Sequence, residues 1–81
     1  MRGMSPVAPS YGFADMVQNH IESVFHVVYR LTLDQDRAVR YTTDLFAAVA
    51  HRLEWTKFTD EEFRRLWLFR QATELVESRL P

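Results

Sequence analysis

The stretch from Trp55 to Arg65 sets Lys57, Arg64 and Arg65 beside the rings of Trp55 and Phe58. Cations interleaved with aromatics hold single-stranded nucleic acid, because phosphates meet the positive charges while unstacked bases lie on the rings. Thr59 falls in the same stretch, and Arg70 follows one and a half helical turns beyond Arg65. These residues also have a plainer reading, in which Arg64 and Arg65 pair with Glu61, Glu62 or other acids on a helix surface. The two readings carry equal weight on the residues alone.

The histidines offer less. His20 and His26 stand six apart, on different faces of one helix, whereas two imidazoles share a metal at a spacing of four. Together with His51 they read as surface or helix-flanking residues. Glycine occurs only at Gly3 and Gly12, so neither a nucleophile elbow nor a phosphate-cradling loop can be built from the body of the chain. The expectation is a protein without catalytic residues, metal ligands or cofactor.

The elements that must position the basic and aromatic cluster follow from where backbone breakers fall. Glycine and proline are confined to Gly3, Pro6, Pro9, Gly12 and Pro81, which leaves Phe13 to Leu80 free to be helical. The chain has 81 residues, 47% of them hydrophobic and 14% aromatic, enough for one compact all-α domain of three or four helices. The absence of cysteine excludes disulfides and thiolate metal sites and fits a reducing cytoplasm. A membrane span and a signal peptide are not expected, since no apolar run is long enough. Eleven acids against ten bases give a formal charge of −1, which excludes a globally basic nucleic-acid coat but allows a local patch. Nine of the ten bases are arginine, the residue suited to phosphate, carboxylate and ring recognition.

Residues 1–13 read as a flexible arm and residues 14–81 as a single helical domain. A first helix is predicted from an N-cap at Asp15 to Leu31, burying Val17, Ile21, Val24, Phe25, Val28 and Leu31. A second, capped by Asp34 or Asp36, reaches about Leu53 with a stripe of Ala38, Tyr41, Leu45, Ala48, Val49 and Leu53. The third starts at a Thr59–Glu62 capping box and runs to about Arg79. Its apolar run Leu66–Phe69 marks it as the central helix. In the link Glu54–Phe58 the rings of Trp55 and Phe58 either fold back as a lid on the core or are displayed to a partner.

The order of these features resembles the helical second region of extracytoplasmic-function sigma factors of bacterial RNA polymerase. Val24–Leu33 (VFHVVYRLTL), Asp34–Phe46 (DQDRAVRYTTDLF) and Phe63–Thr73 (FRRLWLFRQAT) carry the resemblance, which spans about residues 16–80. Arg30-Leu31-Thr32, Asp34, Ala38, Asp44, Phe46, Phe63, Trp67-Leu68-Phe69-Arg70 and Ala72 fall in the family's order at nearly its spacings.

The resemblance implies a domain that docks on the clamp helices of the polymerase core and captures an unpaired base of the minus-ten promoter element. On that reading Asp34, Asp36, Arg37, Arg40 and Asp44 form the docking face. The loop from Trp55 through Lys57, Phe58 and Thr59 to Asp60 takes the flipped base, and Arg64, Arg65 and Arg70 hold phosphates. Val39-Arg40 and Thr43 stand where the family has an acidic pair and a glutamine. That difference supports an alternative, a sigma-like regulator that binds an anti-sigma-type protein in place of polymerase and DNA. A second alternative is an unrelated helical interaction module that forms homo-oligomers through its apolar faces.

Overall fold

Four residues spaced by one helical turn and a little more, Met16, His20, Val24 and Val28, are the buried ridge of the first helix, α1 (Phe13–Thr32). The computed structural model describes residues 12–79. Gly12 is the N-cap of α1, and its N–H donates to the Asp15 carboxylate at 3.1 Å. Asp15 therefore lies in the first turn, where the helix dipole favours an anion, and is not the cap itself. Phe13 belongs to the helix, so the folded body begins earlier than residue 14; the rest of the expected arm, residues 1–11, lies outside the described residues.

At its far end α1 stops at Leu33, which adopts the left-handed conformation (φ 54°, ψ 32°) and donates its N–H to the Tyr29 carbonyl at 2.6 Å. This is the glycine-type helix stop made with a branched side chain. Asp34 then caps the second helix, α2 (Gln35–Val49), its carboxylate accepting the Arg37 N–H at 3.0 Å. The buried side of α2 is Ala38, Tyr41, Thr42, Leu45, Phe46 and Val49.

α2 ends at Val49, a full turn short of the expected Leu53. Its last carbonyls are taken by a tightening turn, in which His51 N–H donates to Ala48 and Arg52 N–H to Val49. Leu53 consequently points to solvent at 73% exposure and is no part of the core stripe. A single 3₁₀ turn, Glu54–Lys57, follows. The third helix, α3 (Glu61–Arg79), is capped by Asp60, whose carboxylate accepts the Glu62 N–H at 2.7 Å. In place of the anticipated Thr59–Glu62 box there is a single side-chain cap one residue further on: aspartate is as good a cap as threonine, and here it takes the role.

Three helices thus pack side by side with the core at their shared seam, and the described residues contain no strand. α1 packs most extensively against both others and is the central helix; α3 is not. Within the run Leu66–Phe69 only Leu68 is fully buried, while Leu66 is half exposed and Trp67 and Phe69 lie at the edge of the core. α3 buries the ridge Arg64, Leu68, Ala72 and Val76. The alanines Ala38 and Ala72, both at 0% exposure, let the helix backbones come close. Ile21 and Leu31, expected inside, are 42% and 45% exposed, because the buried face of α1 is rotated toward Met16 and His20.

Candidate nucleic-acid and partner-binding surfaces

The link between α2 and α3 is held from both sides. Arg52, just past the end of α2, donates to both carboxylate oxygens of Glu54 at 3.1 and 2.8 Å and to the Gln71 side-chain oxygen at 2.7 Å. Its guanidinium lies 5.4 Å from the Trp67 ring centroid. The hydrogen bond from Arg52, reinforced by the residue's own backbone N–H, lowers the Glu54 pKa below the usual carboxylate range, and the same pairing raises that of Arg52. Inside the turn the Thr56 hydroxyl donates to the Leu53 carbonyl at 2.6 Å.

Trp55 is the lid on the core. It is 8% exposed and meets Phe13 edge to face at a centroid distance of 5.8 Å, which ties the 3₁₀ turn to the start of α1. Phe58 is half-buried and leans on Trp67 at 5.9 Å. Of the two rings, Trp55 is thus withdrawn and Phe58 remains partly accessible.

Arg64 is 5% exposed, and its guanidinium faces the link. Nε donates to the Trp55 carbonyl at 3.0 Å, one terminal nitrogen donates to the Phe58 carbonyl, and the other donates to the Glu61 carboxylate. The second Glu61 oxygen meets Nε2 of His20 on α1 at 2.6 Å. A buried charge is tolerated only when paired and hydrogen-bonded, and here one carboxylate and two carbonyls supply that environment. His20–Glu61–Arg64 is therefore a clasp joining α1, α3 and the link. His20, expected at the surface, is 6% exposed because its ring is the α1 end of that clasp.

The remaining members of the sequence-predicted cluster lie outside. Lys57 and Thr59 are exposed, and Arg65 is half-buried, paired with Glu62 and lying 5.8 Å from the Phe69 centroid. Arg70 is exposed and loosely paired with Glu74 at 3.4 Å. Five residues separate Arg65 from Arg70 on α3, which sets them on different sides of the helix. Lys57, Phe58, Thr59 and Arg65 can therefore form one surface; Trp55 and Arg64 support it from beneath, and Arg70 stands apart. This corrects the expectation that Trp55 takes a base and Arg64 a phosphate: both are covered.

On α2 the predicted docking residues divide in the same way. Asp34 is the helix cap and lies 3.9 Å from Arg37, and Asp44 accepts from Arg79 of α3 at 2.9 Å. Arg79 also covers the Tyr41 ring at 5.2 Å. Asp36 and Arg40 are exposed and make no ion pair among the described residues. The sequence reading named Glu61 as a partner of Arg64 but missed His20 as the third member of the clasp, and it missed an apolar cleft of about 310 Å³ between α1 and α2, lined by Ile21, Glu22, Phe25, Val39, Thr42 and Thr43. Val39 and Thr43 are two of the positions that differ from the sigma pattern, and that was the available signal.

Among the described residues, no group of three His, Asp or Glu side chains is gathered to hold a metal ion, and no helix is long and apolar enough to cross a membrane. No protein-family model, curated protein or solved structure matches the chain.

Proposed function

We propose that the chain is a non-enzymatic, sigma region 2-like domain of bacterial transcription initiation, acting in the cytoplasm, with polymerase core and single-stranded promoter DNA as its partners. The observation that carries this reading is the clasp. Arg64 binds the link's own carbonyls at Trp55 and Phe58, so that Lys57, Phe58 and Thr59 are held at the surface beside Arg65. A pre-formed loop with a cation on each side and an accessible ring is suited to an unpaired base with its flanking phosphates, since little ordering remains to be done on binding. In this reading Asp36 and Arg40 are the contacts that α2 offers to polymerase.

The test is fluorescence anisotropy of a labelled minus-ten single-stranded oligonucleotide, beside a scrambled one, titrated with the full chain at low and moderate salt. Sequence-preferring binding that weakens in Lys57→Ala and Arg65→Ala supports the proposal. Absence of binding by a folded protein overturns its DNA half.

One observation favours a second reading, that of a sigma-like regulator bound to an anti-sigma-type protein. Val39 and Thr43 replace polar family positions and wall an apolar cleft, a surface suited to an apolar protein partner more than to a charged one. Co-purification of the chain with a co-expressed anti-sigma protein but not with polymerase core decides for that reading.

A further inference from the structure

The cleft on the α1–α2 seam has Ile21 and Phe25 as one wall and Val39 and Thr43 as the other. Ile21 is 42% and Val39 51% exposed, and Tyr29, stacked on Phe25 at 6.2 Å, extends the apolar surface along α1. Thr43 is satisfied by the Val39 carbonyl at 2.8 Å. Thr42 also lines the cleft, from a residue only 3% exposed, and its hydroxyl, which has no hydrogen-bond partner among the described residues, is itself covered. A cleft whose two walls carry half-exposed aliphatic side chains, continued by the Phe25–Tyr29 stack, marks a surface that is incomplete in the single chain.

The charges around the cleft indicate what completes it. Glu22 stands on the α1 side and Arg40, next to Val39 and one turn before Thr43, on the α2 side. Neither makes an ion pair among the described residues, whereas Arg37, Arg52, Arg65, Arg70 and Arg79 all have carboxylate partners. With Glu22 open on the α1 side and Arg40 open on the α2 side, and Asp36, likewise without an ion pair among the described residues, one turn before Arg40 along α2, the apolar centre can meet a second copy of itself, because a two-fold rotation turns each side onto the other.

We propose that this face is the contact between two copies of the chain, related by a two-fold axis along the α1–α2 seam. α1 of each copy lies on α2 of the other, the two clefts merge into one apolar centre, and Glu22 of each copy faces Arg40 of its neighbour. Such a dimer covers the outer face of α2, so it competes with any partner that docks there. The inference does not depend on the function proposed above.

Sedimentation velocity of the full chain over a concentration series tests it, with helicity followed by circular dichroism. The expected result is a monomer–dimer equilibrium in the micromolar range that Val39→Asp abolishes without loss of helicity. Arg40→Glu and Glu22→Arg each set like charges against each other at two places per dimer and weaken it roughly tenfold. The double reversal Glu22→Arg/Arg40→Glu restores it. A monomeric mass at every concentration overturns the proposal and leaves the cleft to a different protein, and so does a double reversal no better than either single one. Self-association lost while oligonucleotide binding persists sinks this inference alone, and the converse sinks the proposed function alone.

Discussion

Arg64 shows how far a residue's role depends on where its helix faces. On a helical wheel it is one arginine of an adjacent pair, yet Arg64 is 5% exposed and Arg65 keeps its charge at the surface. The difference arises because the ridge Arg64, Leu68, Ala72, Val76 is the one that meets the rest of the bundle. Removing the guanidinium leaves the Trp55 and Phe58 carbonyls and the Glu61 carboxylate without their donor. Arg64→Ala is therefore expected to cost about 3 kcal/mol, against less than about 0.5 kcal/mol for Arg70→Ala at an exposed site. Urea denaturation of the two variants checks this; a loss for Arg64→Ala below that of Arg70→Ala would return Arg64 to the binding surface. The sequence offered the Arg64–Glu61 pairing as one of its two readings, but not that the pair is buried, because His20, which completes the clasp, is 41 positions from Glu61.

At the scale of elements, the helices themselves were legible and their ends were not. The 68 residues without glycine or proline announce an all-helical body, and alternation of apolar and polar positions divides it into three. Boundaries depend on which of several adequate caps captures an N–H, and the sequence around α3 offers both Thr59 and Asp60. Asp60 makes the bond, so Asp60→Ala is expected to cost about 1 kcal/mol and Thr59→Ala a few tenths at most. The stop of α1 is the reverse case, since Leu33 holds a left-handed conformation that strains a branched side chain and is 78% exposed. Leu33→Gly relieves that strain without removing core packing. Even after the entropy glycine loses on folding, it is expected to stabilise the domain by about 0.5 kcal/mol. Thermal denaturation reads both effects, and a lower melting temperature for Leu33→Gly would mean that Leu33 packs on something beyond the α1 stop.

For the whole molecule, the partition between inside and outside decides how much charge is left for nucleic acid. Composition gave a formal charge of −1 and a basic cluster, but not which cations the fold would bury or pair. Arg64 is covered, and Arg37, Arg52 and Arg79 are engaged with Asp34, Glu54 and Asp44. The surface around the link therefore offers Lys57 without an ion pair among the described residues and Arg65 paired with Glu62 at the rim, with Arg70, paired with Glu74, around the side of α3; the two arginines exchange a carboxylate for a phosphate on binding. Each phosphate neutralised on a single strand contributes about 0.7 to the slope of log K against log salt, so binding through these cations is expected to show a slope between roughly −1.4 and −2.1. Lys57→Ala and Arg65→Ala should each flatten it by about 0.7, and Arg64→Met, in a variant still folded, should leave it unchanged. A markedly steeper slope would require more phosphate contacts than this face holds, and the strand would then have to cross another surface, with Arg30 and Arg40, exposed on α1 and α2, as the next cations to test.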